Sequence, residues 1–404
     1  MVRSAVARRL RNLTVVYKVV RATLGSFLVL RFGLHARNRI LLRKIRPPYV
    51  LLPNHVSYWD PVFVGFFVPD LVYYVTSDRQ FRGKLWGRLL SLVGTIPKSK
   101  EISDFETVRS IFSVKKKGGV IGIFPEGRRN WDGHSLPPLY VTAKLLRALR
   151  LPVIVPIIKG AFLALPRWSD TPKKGKVTVD FQMGFTPEDL GRMSVDEIYQ
   201  KIGSLLEYDE YSHQRKNMIR YRGRNRAQGL ELAIFVCQAC NEIGRLRSRG
   251  NSFACDACAH TVSVTEYGFF SLNSRFESVR EWNIWQLSRL EEVVTASDDD
   301  SLILVDGPVW IYKGYRSDAM IDRELGTLSL FRSRVIFEGK SGSTTEFPIS
   351  SIAGVNVQTH EEMEFYHGGL LVHFQFVEPV SGYKWMMAIN TLRGVNIFAV
   401  PAAI

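Results

Sequence analysis

The order of apolar and polar positions divides the chain into two kinds of sequence. In the first half, short apolar runs stand far apart: Tyr49-Val50-Leu51-Leu52, Val120-Ile121-Gly122-Ile123-Phe124 and Val153-Ile154-Val155-Pro156-Ile157-Ile158. Runs of this length bounded by polar residues predict buried strands, and the longer stretches between them predict helices. Pro61-Val62-Phe63-Val64-Gly65-Phe66-Phe67 is an apolar element that begins with proline, as helices do. From about Ser301 the pattern changes. Leu302-Ile303-Leu304-Val305, Val309-Trp310-Ile311-Tyr312, Thr327-Leu328-Ser329-Leu330, Val335-Ile336-Phe337, Val355-Asn356-Val357, Leu370-Leu371-Val372-His373-Phe374 and Trp385-Met386-Met387-Ala388-Ile389 follow one another with turn residues between them. Such recurrence predicts an all-β domain of about six or seven strands. Between the halves, Leu232 to Val236 and Thr261 to Val264 alternate as hairpin strands do, and Phe276 to Val294 spaces Trp282, Trp285, Leu287 and Leu290 as a helical bridge would.

Length and charge add a setting. The chain has 404 residues and a formal net charge of +16, enough for two or three domains. The charge is uneven: from Met1 to Trp59 there is no Asp or Glu, while twelve Lys and Arg fall among leucines, valines and phenylalanines. The longest uncharged run before Arg46, Ala22 to Leu30, has nine residues, against the roughly 20 that cross a bilayer. A basic, apolar beginning without a clear transmembrane span or signal peptide predicts an interfacial segment on an anionic membrane surface, where each basic residue contributes about 1 kcal/mol. A transit peptide and nucleic-acid binding are rival readings of the same charge. The apolar content argues against nucleic acid, and the unbroken run into the first buried strand argues against a removable peptide.

Two segments carry the chemistry. In Asn54-His55-Val56-Ser57-Tyr58-Trp59-Asp60, an imidazole is followed five residues later by a carboxylate. A neutral imidazole can take the proton of an attacking hydroxyl, and a carboxylate on its far nitrogen fixes the tautomer. Residues five apart lie about 140° round a regular helix, so the pair needs a strand-to-helix corner. Asp60 before Pro61 is also what a helix N-cap looks like. In Phe124-Pro125-Glu126-Gly127-Arg128-Arg129, a glycine permits close backbone approach and a guanidinium matches the oxygens of a phosphate.

These segments resemble the glycerolipid acyltransferase family, which includes the lysophosphatidic acid and glycerol-3-phosphate acyltransferases. His55 and Asp60 match its first block, Gly94-Thr95-Ile96-Pro97 its second, Phe124-Pro125-Glu126-Gly127 its third and Val155-Pro156-Ile157-Ile158 its fourth, in family order over roughly residues 20 to 210. The resemblance implies an α/β core of the glycerol-3-phosphate acyltransferase type with a mainly parallel sheet. It implies that His55 is the general base and Asp60 its partner, and that Glu126, Gly127 and Arg129 hold a phosphorylated acceptor. It also implies an acyl thioester donor, of coenzyme A or of an acyl-carrier protein, and a lysophospholipid acceptor. Two positions depart from the family. Lys98-Ser99-Lys100 stands where an arginine is usual, Lys100 in its place, and Arg128 and Asn130 flank Arg129 where small hydroxyl residues are common. Lys98 and Lys100 keep the charge without the fork, which leaves the head group open: 1-acylglycerol-3-phosphate, glycerol-3-phosphate or another lipid.

The four cysteines form two pairs, Cys237-Gln238-Ala239-Cys240 and Cys255-Asp256-Ala257-Cys258. Paired CxxC spacing resembles a zinc ribbon, with four thiolates closing a structural site. Such a metal contributes about 10 to 16 kcal/mol of apparent folding free energy. The stretch from Leu328 to Ile352 resembles, in outline, a pleckstrin-homology-like barrel. The domain plan is then a basic membrane-surface segment over 1–45, an acyltransferase domain over 46–212 and a basic linker over 213–230. A zinc ribbon over 231–268, a helical bridge over 269–300 and a β-rich domain over 301–404 complete it. The function predicted is that of an acyltransferase at the cytoplasmic side of a membrane, peripheral or monotopic; a non-catalytic zinc-ribbon scaffold is the alternative of another class. The basic segment carries a direct expectation for flotation on anionic liposomes. A chain beginning at Leu34 should lose most of its binding, and undiminished binding would refute the interfacial role.

Overall fold

The computed structural model describes residues 23, 25–77, 95–98, 105–314, 321–358 and 362–398. It divides into two compact units, one running to Pro166 and resuming over Lys173–Tyr221, the other made of Arg167–Pro172 and Arg222–Phe398.

The apolar runs of the first half become the central strands of the first unit. Its sheet holds β1 (His35–Arg37), β2 (Val50–Leu51), β3 (Val72–Ser77), β4 (Ile96–Lys98), β5 (Val120–Gly122), β6 (Val153–Lys159) and β7 (Thr178–Phe185). Their order is β1-β7-β6-β2-β5-β3-β4. All pairings are parallel except β6 with β7, so the α/β, mainly parallel architecture expected is the one found. Strand β2 lies between β5 and β6, with Val50 opposite both Ile121 and Val153. Helices Tyr140–Leu149 and Val195–Leu206 contribute Ala143, Leu146, Leu149, Ile198, Ile202 and Leu206 to one core with Val50, Ile121, Val153 and Val155. Ser194 and Glu197 form a reciprocal capping box at the start of the second helix, satisfying two backbone N–H groups that a helix start leaves over.

Residues 25–32 are helical, with Leu28 and Phe32 buried and Phe27 and Leu30 exposed, Leu30 at 76%. The preceding basic residues of the predicted interfacial segment, 1–22, lie outside the described residues. Among those described, no helix is long and apolar enough to cross a membrane.

The second unit joins three elements that the sequence presents as separate. A three-stranded sheet holds β8 (Leu246–Arg249), β9 (Ser252–Cys255) and β10 (Thr261–Ser263), with Cys255 at the end of β9, Cys258 in the turn after it and Cys237 and Cys240 before β8. Helix Val279–Ala296, the predicted bridge, is more than a connector. Gln286, fully buried, accepts from the amides of Phe235 and Val236 and donates to the carbonyl of Ala233, and Trp282 Nε1 donates to the carbonyl of Val236. Leu232 to Val236, expected as a strand, is a short 3₁₀ turn and a buried extended segment tied to this helix.

The C-terminal sheet is all antiparallel: β11 (Leu304–Gly314), β12 (Ile321–Leu330), β13 (Arg334–Gly339), β14 (Thr344–Pro348), β15 (Ala353–Val357), β16 (Glu362–His367) and β17 (Leu370–Phe376). Three details differ from expectation. Leu302–Val305 and Val309–Tyr312 largely merge into the one strand β11, because Gly307-Pro308 makes a bulge there and not a turn. Strands β14 and β16 lie where no strand was predicted. Trp385-Met386-Met387-Ala388-Ile389, read as a strand, lies in helix Gly382–Leu392, capped by Ser381. Every residue from Gly382 to Asn390 is buried, and an apolar run buried all round has no period that separates strand from helix. Tyr383 Oη donates to Asn283 Oδ1, Ser381 Oγ to the carbonyl of Leu232, and Lys384 Nζ meets Asp306 at 2.7 Å. Ribbon, long helix and β domain thus share one interior.

Within the stretch read as a basic linker, Arg220, Arg222 and Arg224 are exposed, but helix Glu210–Asn217 runs into it and Tyr221 is buried.

Candidate active site and metal centre

Because β2, β5 and β6 are parallel, the segments after their C-terminal ends meet along one edge of the sheet, the usual place for a site in an open α/β fold. After β2 the chain turns into helix Asp60–Phe67. Asp60 is the first residue of that helix and fully buried, yet its side chain does not serve as the N-cap; that position belongs to Trp59. Asp60 Oδ2 faces back into the turn, accepting from the amides of Val56 at 2.6 Å and Ser57 at 2.8 Å and bonding His55 Nδ1 at 2.8 Å. Three donors on one carboxylate oxygen, at the positive end of a helix, solvate the anion with protein in place of water. With Nδ1–H donating to Asp60, the neutral ring's basic lone pair is on Nε2. The imidazole stacks on Phe124 at 4.3 Å, and its side chain keeps 21% exposure.

The third block follows β5. Glu126 points inward: Oε1 accepts the amide of His55 at 2.7 Å and Oε2 that of Leu136 at 2.9 Å. Burial pushes the Glu126 carboxyl up to about 8; the bonds from Leu136 and His55 work the other way, and the charge of Asp60 adds to the rise. Desolvation therefore outweighs two hydrogen bonds that favour the ionised form. The chain turns through Gly127 at φ +68°. Arg129 places its guanidinium 5.7 Å from the ring centroid of Tyr58, a cation–π contact. Burial lowers the Arg129 pKa while the nearby charge of Asp60 opposes the change. His55, Asp60, Tyr58, Glu126 and Arg129 are thus one cluster.

Lys98 ends β4, on the same edge but three strands from β2, about 14 Å at usual strand spacing. Gly94 and Lys100 lie outside the described residues. Other contributors have no assigned role in the sequence reading. Asn54 binds β6, its Oδ1 accepting the amide of Ile158 and its Nδ2 donating to the carbonyl of the same residue. Asn130 donates its amide to the carbonyl of His55 at 3.2 Å. An asparagine placed just after a buried apolar strand was the available signal for Asn54; Asn130 stood out only as a departure from the family beside Arg129, and nothing local marked the Tyr58 ring.

The four cysteines converge, their sulfurs all within 4.8 Å of one another. Cys237 and Cys258 are 3.7 Å apart, as are Cys240 and Cys255. Disulfide sulfurs sit about 2.05 Å apart, whereas a tetrahedron with metal–sulfur bonds of about 2.3 Å places them about 3.8 Å apart. Both knuckles have the same shape: Asn241 and Ala259, each following the second cysteine, have φ of +64° and +58° and donate to the carbonyls of Cys237 and Cys255. The donor set fits zinc. Burial pushes the Cys237 thiol up to about 12, so a coordinated dication is what would hold it as thiolate. His260 bonds Gln238 and stands outside the sulfur cluster.

Residues 35–159 match the family described as Acyltransferase, a span that contains His55, Asp60, Glu126, Gly127 and Arg129. The chain is 24% identical over 163 residues to the 1-acyl-sn-glycerol-3-phosphate acyltransferase of Bacillus subtilis (strain 168), covering 40% of this chain and 78% of that one. Among solved structures it is similar to the 1-acyl-sn-glycerophosphate (LPA) acyltransferase PlsC from Thermotoga maritima, at 17% identity and TM-score 0.37, over 52% of this chain and 98% of that one. The N-terminal PH domain of human ARAP2 gives 17% identity and TM-score 0.18, over 24% of this chain and 91% of that domain. The resemblance to the glycerolipid acyltransferases holds, and the matching residues lie within the first unit.

Glu126 makes stability depend on pH. Raised from an ordinary value of 4.5 to about 8, it stays protonated in the fold where the unfolded chain ionises. The folded state then binds more protons, so stability falls as pH rises from about 4.5 to about 8 and levels off above, by on the order of a few kcal/mol. Urea unfolding at pH 5 and pH 8 should show a smaller pH dependence in E126Q than in the wild type. Equal dependence in the two would contradict this assignment.

Proposed function

We propose that the acyltransferase domain moves a fatty acyl group from an acyl thioester to the free hydroxyl of a lysophospholipid, in the first instance 1-acylglycerol-3-phosphate, giving phosphatidic acid. The observation that carries the reading is the His55–Asp60 pair, closed by two backbone amides and set beside Arg129 at the C-terminal edge of a parallel sheet.

His55 Nε2 takes the proton of the acceptor hydroxyl as its oxygen attacks the thioester carbonyl. The tetrahedral intermediate collapses with cleavage of the carbon–sulfur bond, and the imidazolium returns the proton to the departing thiolate. Asp60 holds the ring in the required tautomer and offsets the positive charge that forms on it. Arg129 is the group for the acceptor's phosphate, its guanidinium oriented by the Tyr58 ring. With both carboxyl oxygens on backbone amides, Glu126 acts on the acceptor by setting the position of His55. Lys98 and Lys100 supply positive charge to the head group or to the membrane. Exposed Phe27 and Leu30 beside Arg31 support seating of this unit at a lipid surface, where the acceptor resides. The donor is a thioester of coenzyme A or of an acyl-carrier protein.

In the second unit, Cys237, Cys240, Cys255 and Cys258 hold a structural zinc; four thiolates leave no open position for substrate. The metal's part is to fold the ribbon.

The test is acyl transfer measured with labelled acyl thioester against a panel of acceptors in vesicles. H55A should lose about 10²-fold or more in rate, with 1-acylglycerol-3-phosphate the best acceptor; equal incorporation by H55A and wild type would remove His55 from catalysis. Best turnover of glycerol-3-phosphate or of a glycolipid would keep the reaction and change the substrate. For the metal, protein purified without chelator should contain one equivalent of zinc and lose thermal stability on its removal. Zinc-free protein of unchanged stability would refute the structural role.

A further inference from the structure

Glu210 lies outside every recognised block and beyond residues 35–159, yet it is fully buried at the start of helix Glu210–Asn217. Its contacts are unlike those of a helix-start glutamate facing solvent. Both carboxyl oxygens accept from the amide of Gly160, each at 3.0 Å, and Tyr208 Oη donates to Oε1 at 3.1 Å. The Glu210 amide donates to the carbonyl of Gly133 at 2.9 Å.

Each contact leads to His55 by a short route. Gly160 follows Lys159, the last residue of β6, and Ile158 just before is the residue that Asn54 grips with both ends of its amide. On the other side, the amide of Gly133 donates to Asn130 Oδ1, and the Asn130 amide donates to the carbonyl of His55. The neighbouring residues reinforce this. Ser135 donates its amide to the carbonyl of Tyr208 and its hydroxyl to that of Leu206, and Leu136 binds Glu126, whose other oxygen takes the amide of His55. Segment 206–210 therefore clasps the loops that follow β5 and β6, and both loops grip the residues around the imidazole.

Glycine is required where the clasp closes. A Cβ on Gly133, at φ +83°, would sit 3.0 Å from Glu210 Cβ and from the Phe162 ring. One on Gly160, at φ +82°, would lie 2.3 Å from the carbonyl oxygen of Lys176 and 2.4 Å from Tyr221 Oη. Both positions use a backbone region that other residues rarely adopt.

We propose that Glu210 is a positioning residue for His55, fixing the catalytic loop through Gly160–Ile158–Asn54 on one side and Gly133–Asn130 on the other. The inference rests on His55 being the base. It assigns a role in the acyl transfer to a segment that carries no catalytic group: the Glu210 carboxyl holds the loop after β6 at Gly160, while the main-chain amide of the same residue holds the loop after β5 at Gly133.

The test uses the full chain with H55A as a control. Steady-state rates per folded protein are measured for E210A and E210Q on acceptor vesicles, with the downfield proton resonance of the His55–Asp60 hydrogen bond as a second readout. E210A should lower kcat at least about ten-fold, as small misplacement of a reacting group does, with KM within about two-fold, and weaken the resonance. E210Q, whose amide oxygen still accepts the Gly160 N–H, should retain more of both. If E210A does not fold, Y208F, which removes one bond to the carboxyl, should lower kcat and the resonance in the same sense. Wild-type kcat and resonance in the folded variants, or a change confined to KM, would overturn the proposal. An inactive H55A beside a wild-type E210A sinks this inference alone, whereas an active H55A sinks the catalytic reading beneath it.

Discussion

The first unit of this protein depends on one carboxylate oxygen. Asp60 Oδ2 gathers the amides of Val56 and Ser57 and the Nδ1 of His55, so a single atom closes the turn between β2 and the next helix and orients the imidazole. A five-residue separation, wrong for one face of a helix, becomes right when the intervening backbone curls round the anion. An alanine could keep the helix but none of the three bonds, and an asparagine keeps them only with its amide oxygen in the place of Oδ2 and without the charge. The burial that makes this anion costly in isolation is tolerable because backbone dipoles and the helix terminus supply what water would.

Around that turn the sheet edge acts as a vice. Glu126 holds the amide of His55, Asn130 its carbonyl and Asn54 the end of β6, so the residue proposed as the base is gripped through its own main chain and through its neighbour. Polar groups inside a low-dielectric region are expensive unless satisfied, and once satisfied they specify one arrangement. The raised pKa of Glu126 is the electrostatic trace of that arrangement. The second unit follows the same logic with different atoms: four sulfurs at metal spacing fix the knuckles, while Gln286, Trp282 and Asn283 of the long helix join the ribbon to the β domain.

What the sequence revealed was whatever is local. His55 with Asp60, the paired CxxC knuckles and the buried runs of β2, β5 and β6 all lie within a few consecutive residues, and all appear where expected. What it hid depends on partners far along the chain. Nothing local to Glu126 shows that the amide of His55, 71 residues away, donates to its carboxyl. Asn54 meets Ile158 at a separation of 104 and Gln286 meets Phe235 at 51; no local pattern marks either. Burial hid more. Trp385 to Ile389 looked like a strand because a helix enclosed on all sides loses its polar stripe, and Gly307-Pro308 looked like a turn because a bulge uses the same residues.

The measurement that bears most directly on the account is the rate of acyl transfer by D60N, compared with wild type across pH at saturating and limiting acceptor. Asparagine keeps the size of the side chain and can keep all three bonds through its oxygen, but it offers no charge to the imidazolium. The account predicts a fall in kcat of about 10²-fold or more, with the KM for acceptor little changed. A D60N enzyme with wild-type kcat would contradict it, leaving the buried carboxylate as a structural turn and His55 without its partner.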